Sequence, residues 1–160
     1  MGRSLTTAQL QALFAQSTSK VFLALLDLDH SDFASGDYRF VNNTESITSN
    51  GTVYTPFPFA VVLPDDNEDN GPQGRLAVGN VDRTIIDDLR SISGSERIQV
   101  TIQIIMSDEP DTPLATYNNF ELRNIDYDAF TVTGDLSLVD FLSEPFPSDR
   151  FTPNFFPGLF

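Results

Sequence analysis

The sequence predicts a mainly β protein: an antiparallel β-barrel or sandwich with a short N-terminal helix and one internal helix. Three observations predict it. Apolar residues recur with period two in about eight short runs separated by Gly, Pro, Asn and Asp, and helical spacing occurs in only two places. The 160 residues are 40% hydrophobic, which suits one ordinary domain able to bury a core without staples.

The elements follow in order. Thr6 is placed to cap a first helix, with Gln9 three residues on, Leu5 and Leu10 as a hydrophobic staple, and Leu10, Leu13 and Phe14 along one narrow apolar face. "QSTSK" then reads as a hinge, so residues 1–19 form a helical segment ahead of a β body over 20–145. "KVFLALLDLD" is a mostly apolar strand, "DYRFVNN" alternates, and "ESITSNGTVYTPF" holds Asn50-Gly51 between β-forming runs, the strongest short-range hairpin signal. The three make a meander. "FPFAVVL" runs into Pro64 and the loop "PDDNEDNGPQG", after which "RLAVGN" is another strand. Asp82 caps the internal helix "RTIIDDLRSIS", whose Ile85, Ile86, Leu89 and Ile92 share a face and whose stop is Gly94. That helix belongs across a barrel mouth or sheet face. "ERIQVTIQIIM" is the clearest strand, with Ile98, Val100, Ile102 and Ile104 on its buried side, and "YNNFELRNIDYD", "AFTVTGDL" and "SLVDFL" complete the series.

Composition excludes several classes. Without cysteine there are no disulfides, thiolate zinc sites, cysteine-held clusters or cysteine nucleophiles. A net charge of −14, with one lysine (Lys20) and eight arginines, opposes phosphate polyanions and anionic membrane surfaces, so no direct nucleic-acid binding is expected. No run reaches the length of a membrane span. "MGRSLTTAQLQ" lacks the apolar stretch of a signal peptide, which reads as synthesis in the cytoplasm.

No catalytic, cofactor or metal site emerges. The acidic loop residues Asp65, Asp66, Glu68 and Asp69 invite comparison with a calcium loop, but Asn70 stands where that template needs glycine and Leu76 where it needs a bidentate glutamate. The run reads as a solvated acidic loop, with an inter-subunit contact as the alternative. His30 is the only histidine; it and its neighbours Asp29, Ser31 and Asp32 are too close in sequence to converge as a triad, and it reads as a surface histidine at a strand end. Pairs such as Glu121 with Asp126, or Asp140 with Glu144, arise among 23 carboxylates by composition alone. Neither a Gly-x-Gly-x-x-Gly turn nor a P-loop occurs.

The ending "FTPNFFPGLF" is the least ordinary stretch. Burying a Phe or Leu side chain is favourable by about 1.5–3 kcal/mol, so Phe151, Phe155, Phe156, Leu159 and Phe160 together call for a cover. Residues 146–160 are therefore set apart as a Phe/Pro-rich segment. It folds back over its own body, meets a neighbouring subunit, or does both.

The run "VFLALLDLDHSD…YRFVNNTESITSNGTVYTPFPFAVVLPDD…RLAVGNVDR", then "RIQVTIQII", "FELRNIDYD" and "EPFPSDRFTPNFFPGLF", resembles the small tail-tip proteins of long-tailed bacteriophages that carry a DUF1833-type domain. It is also similar to the N-terminal part of minor tail protein L of lambdoid phages. The resemblance covers about residues 20 to 160. It implies a tail-tube-like β-barrel and a non-enzymatic structural role in the virion, as a hub or baseplate ring at the distal tail end. The implied neighbours are the tail tube and tape-measure protein above and the central fibre protein below, and the implied assembly is a homotrimer, with a six-fold distal ring as the alternative. The lambdoid protein continues into a cysteine-rich, iron–sulfur-binding domain; this chain has no cysteine, so no cofactor is carried over. A small carbohydrate-binding module is a further reading, weakened by the lack of tryptophan, and a tail-tip peptidase would need a Cys-His pair that the chain does not contain.

Overall fold

The computed structural model describes residues 6–15, 20–63, 73–79, 84–92, 96–128 and 130–138. Among them lie two helices, α1 (Thr7–Phe14) and α2 (Thr84–Ser91), and nine strands. The strands are β1 (Phe22–Asp29), β2 (Tyr38–Val41), β3 (Ile47–Ser49), β4 (Thr52–Pro56), β5 (Phe59–Val62), β6 (Gln73–Gly79), β7 (Gln99–Met106), β8 (Ala115–Tyr127) and β9 (Thr131–Leu138). The protein is thus mainly β, as its periodicity dictates. No helix among the described residues is long and apolar enough to cross a membrane.

The strands form one sheet in the order β3-β4-β2-β1-β7-β8-β9-β6-β5. That order is open, so the expected barrel is not closed by hydrogen bonds. It is held in a curl instead. β4 and β5 stand near opposite ends of the sheet, yet only Phe57 and Pro58 separate them, and three Cα steps span at most about 11 Å. Each end grips this link: the Phe57 N–H donates to the Val41 carbonyl at 3.1 Å, and the Gly79 N–H donates to the Pro58 carbonyl at 2.8 Å. A Cβ on Gly79 would lie 2.8 Å from Pro58 Cγ, so the close approach requires glycine there.

Two further expectations change. Asn50 and Gly51 both take positive φ (48° and 78°), and the β3–β4 hairpin forms as their sequence demands. Yet β4, not β3, lies beside β2, and the pair is parallel, so the first strands are not a meander and the sheet is mixed. "AFTVTGDL" and the start of "SLVDFL" are one strand, β9, rather than two. β8 is longer than its alternation suggests because it bulges twice. Asn118 and Asn119 oppose Thr101, Asn124 and Ile125 oppose Gly134, and Asn119 and Asn124 take the left-handed conformation (φ 65° and 49°) that asparagine tolerates.

The main core fills the inside of the curl. Leu26 and Leu28 of β1, Phe40 of β2, Leu76 and Val78 of β6, Val100 and Ile102 of β7, Phe120 and Leu122 of β8 and Leu136 of β9 meet there, with Ile85 and Ile86 of α2 closing it. Alternation sends Leu23 and Leu25 to the other face, where they pack with Val41, Tyr54 and Ile105. Burial on both faces is why Leu23 to Leu26 read as continuously apolar, while Val21 and Phe22 ahead of them are exposed. α2 is fixed by a polar anchor as well: the Tyr38 hydroxyl donates to the buried Asp88 carboxylate at 2.5 Å, and Tyr38 sits in an aromatic row with Phe33, Phe40 and Phe57. The expected cap Asp82 and stop Gly94 lie outside the described residues.

α1 is built the other way round. The capping box forms, with the Thr6 N–H donating to Gln9 Oε1 at 2.9 Å and the Gln9 N–H to Thr6 Oγ1 at 3.3 Å. Gln9 is buried, 1% exposed, and its Nε2 donates to the Thr112 carbonyl at 3.4 Å. Leu10, Leu13 and Phe14, expected as the packing face, are exposed, Phe14 to 85%.

Candidate functional site

The outer face of the sheet changes character along β1. Leu23 and Leu25 lie under Tyr54, whereas Asp27 and Asp29, next on the same side, open into two adjoining hollows. One, of about 310 Å³, is lined by Asp27, Asp29, Asp37, Arg39 and Tyr54; the other, of about 560 Å³, continues past Asp29 to His30, Ser31, Glu96, Arg97 and Glu121. Tyr54 marks the boundary. Its ring belongs to the apolar cluster and its hydroxyl donates to Asp27 Oδ2 at 3.1 Å.

Electrostatics here are strained toward protonation. Burial raises the Asp27 carboxyl, partly offset by the Tyr54 hydroxyl and by Arg39, whose Nε is 3.6 Å from Oδ1. Partial desolvation and then the hydrogen bond with Asp37 raise Asp29. Burial and the adjacent Asp27 charge push the Tyr54 hydroxyl up to about 12. Glu121 is balanced by two cations, Arg123 Nη2 at 3.0 Å and Arg97 Nε at 3.5 Å. Among the described residues no three His, Cys, Asp or Glu side chains converge on a metal position.

His30 is buried rather than a surface histidine, and its ring stands 5.5 Å from that of Phe33. Its Nδ1 accepts from the Asp32 N–H at 3.0 Å, which leaves the ring proton on Nε2, 3.4 Å from the Glu96 carbonyl oxygen. Ser31 Oγ donates instead to Glu96 Oε2 at 2.9 Å. Histidine and serine thus serve different partners, and both ring nitrogens hold loops together. Nothing in this arrangement activates a nucleophile.

The sequence-derived site residues fall elsewhere. Asp65, Asp66, Glu68 and Asp69 of the acidic loop, and Phe151, Phe155, Phe156, Leu159 and Phe160 of the C-terminal segment, lie outside the described residues, as do Asp140 and Glu144. What the structure adds is a set of large apolar side chains held outward. At the β8–β9 turn the Asp128 carboxylate accepts from the Phe130 and Thr131 N–H groups at 2.7 and 2.8 Å, bonds that also hold its carboxyl below the usual range. The turn presents Phe130, 81% exposed, beside Tyr127, over whose ring the Arg90 guanidinium lies at 5.2 Å. The second bulge of β8 shifts the strand's alternation just before Tyr127, a change that periodicity cannot foresee. Val53, Val62 and the α1 face add to the exposed set. Tyr127 and Phe130 of the turn and Arg90 of α2 thus put together aromatic and arginine side chains, the types enriched at protein-binding surfaces.

Compared with known proteins, residues 8–151 match the family model described as "Domain of unknown function (DUF1833)". The comparison with curated proteins finds no match.

Proposed function

We propose a structural role in a bacteriophage tail, from the premise that the chain belongs to the DUF1833 family. In this reading the protein is a subunit of the distal tail tip of a long-tailed phage, a hub or baseplate ring that joins the tail tube and tape-measure protein to the central fibre protein. It assembles as a homotrimer, functions in the virion, binds no nucleic acid directly and catalyses no reaction.

One observation carries the reading: the β8–β9 turn, fixed by the Asp128 carboxylate, holds Phe130 and Tyr127 outward, as a subunit completed by neighbours requires. The resemblance of the sequence to phage tail-tip proteins supplies the kind of neighbour. A net charge of −14 supports the exclusion of nucleic acid. The non-enzymatic reading is in keeping with Ser31 and His30 engaging separate partners rather than each other.

Quantitative mass spectrometry of purified tails, referenced to a protein of known stoichiometry, tests the proposal. About three copies per tail are expected. About six would replace the trimeric hub by a six-fold distal ring, and absence from tails would overturn the structural reading.

A further inference from the structure

α1 inverts the rule for a surface helix. Among its described side chains the buried one is Gln9, which reaches the loop between β7 and β8 through Thr112, while Leu10, Leu13 and Phe14 share an exposed face at i, i+3 and i+4. An eight-residue helix is too short to persist alone in water, so an outward apolar face on one so lightly anchored calls for a cover. The chemistry of the cover is restricted. Residues 7–14 contain no charged side chain in a chain of net charge −14, so neither an acidic nor a basic partner finds a complement there. Residues 151–160 share that character, with five large apolar side chains and no charged one.

Topology leaves the two within reach of each other. β9 runs antiparallel to β8, and its last residue, Leu138, pairs with Phe120, five residues from the start of β8 at Ala115. The chain therefore leaves β9 about 17 Å from the loop on which α1 is docked, heading toward it. The twelve residues between Leu138 and Phe151 can span about 40 Å. A tether of that length sets an effective concentration in the millimolar range, well above that of a second copy in dilute solution.

We propose that residues 151–160 dock on the exposed Leu10–Leu13–Phe14 face of α1 in the same chain, so that the two ends of the sequence form one apolar unit. This inference is independent of the role in tails, because it is read on the purified protein, whereas the tail reading is tested by copy number.

The absence of native cysteine provides the test. Full-length variants pairing Leu13→Cys or Phe14→Cys with Phe155→Cys or Phe156→Cys are oxidised and resolved without reductant. The expected product is a monomer whose two thiols are lost to one internal disulfide. Covalent dimers as the main product would overturn the proposal in favour of docking on a second copy, and thiols that stay free in all four pairs would overturn docking altogether. Limited chymotrypsin digestion gives a second readout without engineered bonds. Serine at positions 10, 13 and 14 together should speed cleavage within residues 151–160 on the order of tenfold or more, with the β-sheet circular dichroism unchanged. An unchanged cleavage rate would overturn the proposal.

Discussion

α1 and α2 are each eight residues long, yet they bury opposite kinds of surface. In α2 the apolar pattern and the polar anchor agree: Ile85 and Ile86 enter the core while Asp88 is held by Tyr38. In α1 they diverge. The capping box places Gln9 against the Thr112 carbonyl, and the leucines are turned away. A short helix is oriented by whatever contact fixes it, and amphipathicity predicts its buried face only when the anchor lies on the same side. α2 is accordingly a part of the core, and α1 is an attachment to it.

The difference predicts a wide gap between the two helices under truncation. Ile86→Ala should destabilise the protein by about 2–5 kcal/mol in chemical denaturation, the range for a buried isoleucine cut back to alanine. Leu13→Ala should change global stability by less than about 0.5 kcal/mol, because α1 and whatever covers it open separately from the sheet. Similar losses at the two positions would erase the distinction.

Tyr38→Phe sharpens the account of α2, since it keeps the ring between Phe33 and Phe40 and removes only the hydroxyl. A hydrogen bond to a charged group contributes about 1.5–3 kcal/mol, and the loss should appear in full at pH 7. That bond, ahead of smaller contributions from Ser35 and Ala34, holds the Asp88 carboxyl below its ordinary value of 3.8. A lowered folded value stabilises above the unfolded value and fades as pH falls through the folded one. The wild-type protein should therefore lose more stability than the variant as pH drops below about 4. Parallel acid limbs would show that Asp88 is not the group responsible.

The most local effect belongs to α1. Gln9→Ala removes one half of the capping box and the contact with Thr112, a loss of about 1 kcal/mol confined to the helix. Amide exchange within α1 should accelerate about fivefold while the denaturation midpoint stays put. A shifted midpoint would mean that α1 is part of the cooperative unit after all.

Much of the fold was legible from local signals. The alternation of β7 through Ile102, the Asn50-Gly51 turn and the Ile85, Ile86, Leu89 and Ile92 face of α2 each depend on neighbours within a few residues and are found as read. Ile104, expected to be buried, is instead half-buried, and Ile105 is buried on the other face. What escaped depends on distant residues. The parallel placement of β4 beside β2 is decided by an edge that the hairpin does not encode. The bulges of β8 rest on asparagines that would suit a plain turn equally well. At the candidate sites, the burial of His30 comes from Phe33 and from Glu96, 66 positions away, and that of Gln9 from Thr112, 103 positions away. Asp27 and Asp29 stand on the face opposite Leu26 and Leu28, and the hollows they line draw on Asp37, Glu96 and Glu121, which are distant in sequence or on other strands.

The pairing of β1 with β7 has a consequence during synthesis. Asp29 meets Gln99, about seventy residues later, so one edge of β1 stays without its partner until most of the body has been made. At about 5–20 residues per second the wait is of the order of ten seconds. For that time a nascent chain carries β1 with one edge open, because β2 pairs with the other. The event that closes this edge is the arrival of β7.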